Sequence, residues 1–523
     1  NNYVANNGTW SGSFTIPATA ASGATRMRVR SVYYYYANHP CNNLYYGESE
    51  DYNFTIQAPY NNDAGIAEIL NPAVPTCDLD SVDVQVSLTN QGLDTLQNCS
   101  VYYQINTSTP VAMYYTGSIA PQGGLDTVTI GNASFSNGDS LTVWTELPNG
   151  VQDSISSNDE LSMTTATGLS GTYAIPADYA TFNEAKDDLV AFGVCGDVVF
   201  NVATGTYTEQ VEFPDILGTD EDNTITFQSA SGNRNDVLIQ YDASNANDNF
   251  VVQFDGGDWI TFKDLRLKAL EQYTYGTVLN VKAGSNNNTI ENCWLKGNSY
   301  QTTSNLASNI RWEGSSDGFS LTNSLVENGA MSFYMLSYDL NNPSQDMTIQ
   351  GNIIKNSLYY QMMMYAIDGF VLDENTITND SALYSSGYGY YQLYMYSVNN
   401  FDITKNYIGH DVGYGHYYPV YMNACIGRNN PRSQFSNNCI FQGTPGSTSY
   451  GYYTIYAPGS GVMDMHNNTI SKRGGFSNYS VLYMANGGLI SLKNNSISNF
   501  VGGYAMQVAG GFTLTESDNN NLY

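Results

Sequence analysis

The fold is decided by the segment VLDENTI at residues 371–377, because close variants of it recur along the chain. Variants are DITKNYI (402–408), FSNNCI (435–440), DMHNNTI (464–470) and SLKNNSI (491–497). Weaker copies reach back to ITFKDLRL, and the aligned Asp or Asn recurs at a mean interval of about 29 residues. A single repeat cannot bury an apolar face alone, whereas stacked coils bury a continuous core. The repeat therefore indicates a solenoid.

Short strands with Asn, Asp or Gly at the corners predict a right-handed parallel β-helix of roughly eleven coils. A leucine-rich repeat has a similar period, but it needs Leu-dense or helical segments, which the repeat lacks. Asparagine suits the corners because it tolerates left-handed backbone geometry. Asparagines stacked in successive coils are expected to exchange amide hydrogen bonds as a ladder. The predicted ladder consists of Asn292, Asn323, Asn352, Asn375, Asn406, Asn438, Asn468 and Asn495.

One amphipathic helix is predicted at residues 178–192, just before the repeats begin. Thr181 and Glu184 have the spacing of a capping box. The apolar residues share one face, which is expected to plug the open end of the coils: Phe182, Ala185, Leu189 and Phe192. The whole chain is therefore predicted to be all-β apart from this N-terminal capping helix, with two β-sandwich modules (1–57 and 58–168) followed by the β-helix (169–523). The β-helix is expected to be truncated at its C-terminal end.

Composition excludes some partners. The formal net charge is −30, so nucleic acid and anionic membrane surfaces are unfavourable partners. No apolar stretch is long enough to insert into a membrane. Seven cysteines have no metal-ligand spacing. Their close pairs are Cys77 with Cys99 and Cys425 with Cys439, and a disulfide between Cys77 and Cys99 is left open.

Two kinds of cluster are candidates for chemistry: acidic turns, and a group of histidines and arginines. Asp220, Glu221 and Asp222 lie in an acidic turn, as do Asp78 and Asp80 in another. Either turn could bind Ca²⁺ with help from backbone carbonyls, or be a solvated acidic turn. No other cofactor is expected.

The second cluster consists of histidines and arginines in the C-terminal half. It comprises His410, Asp411, His416, Arg428 and Arg432. The cluster faintly resembles motifs of polygalacturonases and polysaccharide lyases. The companion carboxylates that those reactions need are missing from neighbouring repeats. A loop with hydrogen-bonded histidines is the favoured interpretation.

Tyrosine is unusually abundant, with 44 residues in the chain. Several tyrosines alternate with apolar neighbours, which predicts that they point outward and align as a stripe: Tyr334, Tyr394, Tyr396, Tyr421, Tyr456 and Tyr483. The stripe is either a contact surface for a protein or for sugar rings, or cross-coil stacking that only stabilises the sheet.

Three segments carry a resemblance to known families. ATRMRVR with GESEDYNFTI resembles the C-terminal part of the GEVED domain of secreted Bacteroidota proteins, and DAGIAEILNP with VDVQVSLTNQGLDTL looks like CARDB-type immunoglobulin-like modules. GTYAIPADYATFNEAKDDL is similar to the opening segment of β-helices in large surface proteins exported by type IX secretion. The resemblance implies an extracellular adhesin or appendage protein, such as a gliding-motility adhesin or a grappling-hook filament.

The predicted function is therefore a structural or adhesive segment of a giant cell-surface or filament-forming protein. Its expected partners are further copies of itself, in a homo-oligomer or filament, or a cell-surface protein or glycan. The alternative is a β-helix that binds or degrades polysaccharide as a lyase or hydrolase.

Overall fold

A computed structural model describes residues 16, 20–21, 23–32, 47–56, 60–270, 274–300, 302–335, 339–379, 391–410, 418–443 and 451–523. The chain divides into two compact units. The first contains Asn1–Ala73 and Asp78–Thr165, and the second contains Val74–Cys77 and Ala166–Tyr523.

The first unit is built from antiparallel sheets. Strands β1 (Gly23–Val32) and β2 (Gly47–Ile56) form a two-stranded sheet. A three-stranded sheet and a four-stranded sheet follow, and the buried residues of both form one apolar core. Their strands are β3 (Ala64–Asn71), β4 (Val82–Asn90) and β7 (Gly124–Ala133), then β6 (Val111–Ile119), β5 (Leu96–Ile105), β8 (Ser140–Glu146) and β9 (Glu160–Thr164). A short 3₁₀ turn covers Pro148–Gly150.

The second unit is a parallel β-helix of about 11 coils, which confirms the predicted fold class. Sheet 1 contains β10 (Leu169–Ile175), β11 (Val194–Val202), β14 (Ile225–Ser229), β17 (Ile260–Lys263), β20 (Thr289–Glu291), β23 (Ser320–Thr322), β27 (Thr348–Gln350), β30 (Val371–Asp373), β33 (Asp402–Thr404), β36 (Ser433–Ser436), β39 (Met463–His466), β42 (Leu489–Lys493) and β45 (Thr513–Asp518).

The other two faces of the coils are equally long. Sheet 2 contains β12 (Gly205–Thr208), β15 (Val237–Tyr241), β18 (Arg266–Ala269), β21 (Trp294–Lys296), β24 (Leu325–Glu327), β28 (Ile353–Lys355), β31 (Thr376–Asn379), β34 (Tyr407–His410), β37 (Cys439–Gln442), β40 (Thr469–Lys472), β43 (Ser496–Asn499) and β46 (Asn521–Leu522). Sheet 3 contains β13 (Val211–Pro214), β16 (Val252–Asp255), β19 (Leu279–Lys282), β22 (Ser308–Glu313), β25 (Met331–Met335), β26 (Ser344–Gln345), β29 (Tyr360–Asp368), β32 (Tyr391–Asn399), β35 (Tyr418–Asn423), β38 (Ile455–Pro458), β41 (Leu482–Ala485) and β44 (Met506–Ala509).

Each coil passes from sheet 1 to sheet 2 to sheet 3, and every strand pairs in parallel with its equivalent in the next coil. Strand β14 shows the alternation that produces the core, since Ile225, Phe227 and Ser229 are buried and the residues between them are half-buried. The inward side chains of all three sheets form one continuous apolar cluster. Phe200, Phe227 and Phe262 stack along its axis at centroid distances of 4.6 and 5.5 Å.

Helix α1 (Phe182–Phe192) packs its apolar face into this cluster at the start of the coils. The Thr181 side chain accepts a hydrogen bond from the Glu184 amide, as the sequence predicts, and Glu184 accepts one in return from the Ala180 amide. Phe182, the first helical residue, is fully buried. The prediction for Phe192 is wrong, because this last helical residue is 39 % exposed and lies beyond the turn that the coils cover.

The disulfide differs from the candidate pair Cys77 and Cys99. Cys77 forms a disulfide with Cys195, 118 residues later, and both cysteines belong to the second unit. Cys99 is a free, buried thiol on β5, and Cys425 and Cys439 are also free. Cys99 is the cysteine nearest to Cys77 in sequence, which is why spacing favours it as the disulfide partner. Segment Val74–Cys77 folds with the second unit, whereas Cys99 belongs to the first.

Candidate functional site

A buried asparagine ladder holds the corner between sheet 1 and sheet 2. In six consecutive steps, Nδ2 of one asparagine donates to Oδ1 of the next at 2.9–3.1 Å. Each of these donors also gives a hydrogen bond to a backbone carbonyl of the preceding coil. The members are Asn352, Asn375, Asn406, Asn438, Asn468, Asn495 and Asn520.

Asn292 and Asn323 do not join this ladder. They lie one residue earlier at the same corner, with left-handed φ values of 48° and 52°. The ladder position in their coils is taken by Cys293 and Ser324, and the Ser324 amide donates to Asn352 Oδ1. Asn292 instead donates to Asp264 on the adjacent coil. The ladder therefore begins two coils later than the aligned sequences predict.

The outer face of sheet 3 carries the tyrosines. One register position runs through every coil, and its first four members are Glu212, Gln253, Asn280 and Arg311. The same position then continues as Tyr334, Met363, Tyr394, Tyr421, Tyr456, Tyr483 and Gln507. The outer face therefore changes from polar to aromatic partway along the β-helix.

A second column of tyrosines lies beside the first. The sequence prediction did not include it. Tyr360, Tyr391 and Tyr418 pair in register and stack at centroid distances of 5.1 and 5.6 Å. Tyr394 and Tyr421 stack at 4.7 Å with an interplanar angle of 3°. The signal for the second column is present in the sequence, since each of these tyrosines opens a strand two residues before an apolar core residue.

Rings of the two columns meet edge to face. Tyr391 lies at 90° to Tyr394 and at 88° to Tyr421, with centroids 5.4 and 5.9 Å apart. Tyr456 and Tyr483 extend the first column at 5.1 Å. The result is a herringbone layer, an arrangement that aromatic quadrupoles favour. We call the layer formed by Tyr360, Tyr391, Tyr394, Tyr418, Tyr421, Tyr456 and Tyr483 the tyrosine face.

Burial disfavours ionisation of four phenols in the tyrosine face. It raises the pKa of Tyr360 and of Tyr418 far above the ordinary value, and it also raises the pKa of Tyr421 and Tyr456. Every ring of the layer is half-buried. Stacking within each column covers ring faces. The raised pKa keeps the hydroxyls of Tyr360, Tyr418, Tyr421 and Tyr456 protonated at physiological pH, and a phenol hydroxyl can both donate and accept a hydrogen bond.

Two predicted stripe members lie apart from the layer. Tyr334 is only 8 % exposed, and it packs in a small cluster with Ala330 and Met331. Its hydroxyl accepts a hydrogen bond from Asn305 Nδ2 at 3.1 Å. Tyr396 lies on the next outward position of β32 and contacts Tyr365 at a centroid distance of 5.5 Å.

The candidate calcium turn is closed by its own hydrogen bonds. Asp220 Oδ1 accepts from the Asp222 amide and from Asn223 Nδ2 at 2.9 and 2.8 Å. Within the described ranges, no group of three or more His, Cys, Asp or Glu side chains lies close enough to hold a metal ion.

The arginines of the catalytic candidate are engaged in ion pairs. Arg428 pairs with Asp402, and Arg432 pairs with Asp464 at 2.6 Å while its Nη2 reaches two backbone carbonyls. His410 ends strand β34, whereas Asp411 and His416 lie outside the described residues. These pairs give both arginines a role in holding adjacent coils together.

The chain shows similarity to one domain family and to several solved structures. A model of the GEVED domain matches residues 1–55, and no curated protein matches the chain. A mannuronan C-5 epimerase A-module from Azotobacter vinelandii is 12 % identical, with 64 % of this chain and 94 % of that chain covered and a TM-score of 0.37. The Dettilon tailspike protein is 12 % identical (67 % and 66 % covered, TM-score 0.39). A surface adhesin of Streptococcus pneumoniae is 12 % identical (65 % and 88 % covered, TM-score 0.28).

Proposed function

We propose that this chain is an adhesive segment of a secreted surface protein and that the tyrosine face is its contact surface for a protein partner. The observation that carries the proposal is the herringbone layer itself. Seven tyrosines occupy adjacent outward positions over five coils, and no charged side chain occupies those register positions among the described residues of these coils. Tyrosine supplies large contact area and hydrogen bonding at low conformational entropy, as it does in antibody paratopes.

The geometry of the rings favours a protein over a sugar as the partner. Sugar rings pack on the faces of aromatic side chains, but here the faces of Tyr394 and Tyr421 cover each other at 4.7 Å. Ring edges and phenol hydroxyls suit backbone amides and carbonyls of a protein surface. A second copy of the chain is a less favourable partner, because a net charge of −30 opposes self-association.

The proposal implies an extracellular location. The disulfide between Cys77 and Cys195 supports that location, because disulfides persist in oxidising compartments. No helix in the described residues is long and apolar enough to cross a membrane.

Bead adhesion tests this proposal. Beads that carry the purified chain are expected to adhere to a gelatin-coated surface more strongly than to a cellulose-coated one. The triple variant Tyr394→Ser, Tyr421→Ser, Tyr456→Ser removes the central rings and is expected to reduce adhesion to gelatin at least about tenfold, which corresponds to about 1.4 kcal/mol.

The matched control is the triple Phe variant at the same positions, which keeps the stacked rings and removes only the hydroxyls. It is expected to retain the thermal stability and part of the adhesion. If the Ser variant melts earlier but adheres as well as the parent, the tyrosines only stabilise the sheet and the proposal fails.

A further inference from the structure

Positive charge in the β-helix is distributed unevenly among its three sheets. On sheets 1 and 3, the lysines and arginines form ion pairs with carboxylates, as Lys263 does with Glu291 and Lys282 with Asp255. Among the described residues of the second unit, the cations that make no ion pair are Arg234, Arg266, Lys268, Lys355, Lys472 and Arg473. All six lie on sheet 2 or in a loop that flanks it.

Four successive strands of sheet 2 bring several of these groups together on its outer face. One register position contains Arg266, Trp294, Leu325 and Ile353, and the position two residues further contains Lys268, Lys296, Glu327 and Lys355. We call these eight residues the basic strip. Neighbouring coils are about 4.8 Å apart, so the basic strip is about 14 Å long.

Contacts within the basic strip hold its cations in position. The Arg266 guanidinium stacks on the Trp294 ring at 3.9 Å from the centroid, and Lys296 Nζ lies 5.4 Å from the same centroid. Glu327 is the single acid, and it pairs with Lys296 at 3.6 Å. Arg234 extends along the adjacent corner to the third coil of the strip, where its Nη1 donates to the Asn323 carbonyl at 3.3 Å.

The second column of the strip is charged and the first is largely apolar. Ile353 is 46 % exposed, and Leu325 and Trp294 are half-buried beside it. An extended ligand that satisfies both columns must carry negative charge near Lys268 and Lys355 on one side and apolar C–H surface on the other. Acidic polysaccharides have this character, because each uronate or sulfated sugar combines an anionic group with an apolar ring face.

We infer that the basic strip is a binding site for an acidic polysaccharide that runs along the coils. Guanidinium and ammonium groups bind carboxylate and sulfate by charge-assisted hydrogen bonds. A nucleic acid is a poorer fit, since its dense phosphate charge needs more cations than the strip offers. The inference does not depend on the tyrosine face, which lies on sheet 3.

Affinity electrophoresis of the whole chain tests the inference. Gels contain polygalacturonate, chondroitin sulfate or neutral dextran, so that carboxylate and sulfate recognition are distinguished. Retardation is expected in at least one acidic polymer and not in dextran, and it should decrease with added salt. The double variant Lys268→Gln, Lys355→Gln is expected to bind about tenfold more weakly, equivalent to about 1.4 kcal/mol.

The matched control is Lys263→Gln, Lys282→Gln, which changes the net charge equally on the other two sheets. It is expected to bind like the parent, and a thermal melt of each variant checks folding. The inference is overturned by any of three results: no retardation in either acidic polymer, an equal loss in both double variants, or tighter binding to a single-stranded DNA oligonucleotide than to both polysaccharides.

Discussion

At the corner between sheets 1 and 2, two adjacent residues have separate roles in each coil of the asparagine ladder. The first adopts a left-handed backbone, for example Glu374 and Lys405 at φ values of 58° and 56°. The second turns its side chain inward and joins the ladder, as Asn375 and Asn406 do. Asparagine is required only at the second position, because its amide both donates and accepts in line with the coil axis. The first position needs only a residue that tolerates the left-handed region.

Replacing Asn406 by Leu tests the ladder at this scale. The change removes the acceptor of the Asn375 amide and side chain and the donor to the Leu372 carbonyl. Each buried polar group left without a partner costs about 1–3 kcal/mol. We expect the free energy of unfolding in urea to fall by about 3 kcal/mol or more.

The neighbouring variant Lys405→Asn is the control. It keeps a residue that tolerates positive φ and loses the ion pairs of the exposed Lys405 side chain with Glu374 and Asp373, so its unfolding free energy should change by at most about 1 kcal/mol. Equal stability of the two variants would show that the ladder does not stabilise the coils.

At the scale of elements, the strands repeat with little variation and the loops after sheet 2 differ from coil to coil. Strand β40 ends in Lys472, which is fully buried. Its ammonium donates to the carbonyls of Tyr452, Phe476 and Tyr479 at 2.5, 2.7 and 3.1 Å. Burial lowers the pKa of Lys472 to about 8, so the amine is still protonated at neutral pH. One side chain thus fixes two successive loops to their coil.

The variant Lys472→Met is expected to remove the hydrogen bonds of the buried ammonium to these three carbonyls. Since an unpaired buried polar group costs about 1–3 kcal/mol, the loops should open and the unfolding free energy should fall by at least about 2 kcal/mol. Limited proteolysis within residues 473–481 measures loop opening. Lys493→Met, which removes only a surface ion pair with Glu516, should be cut no faster than the parent; equal cutting of both variants would exclude the proposed role of Lys472.

At the scale of the whole molecule, one disulfide connects segments that are far apart in sequence. Cys77 and Cys195 close a loop of 118 residues, and the closed loop includes Asp78–Thr165 of the first unit. In the chain-entropy model, a cross-link over a loop of this length stabilises the folded state by about 4–5 kcal/mol.

Reductant is therefore expected to shift the urea unfolding transition of the second unit to lower concentration. The double variant Cys77→Ser, Cys195→Ser should unfold at that lower concentration with or without reductant. Non-reducing digestion should recover one peptide pair that contains Cys77 and Cys195; recovery of Cys77 joined to Cys99 would contradict the observed pairing.

The sequence by itself determined the parts of this protein that depend on local periodicity. The repeat fixes stacked coils, because a short strand can bury its apolar residues only against its neighbours. The capping box fixes the start of α1 at Thr181, and alternation along a strand sends Tyr394 and Tyr421 outward. These features follow from nearby residues alone, so they could be predicted without knowing what lies in the next coil.

Only the tertiary structure decided which residues become neighbours in successive coils. Loops of different length separate sheet 2 from sheet 3, so sequence spacing does not fix the register, and hydrogen bonding and core packing set it instead. The ladder omits Asn292 and Asn323 because they occupy the left-handed position one residue before it, and strand pairing makes Tyr360 the neighbour of Tyr391. Lysines and arginines that are scattered in sequence gather as the basic strip for the same physical reason: side chains one coil apart are about 4.8 Å apart in space, however many residues lie between them.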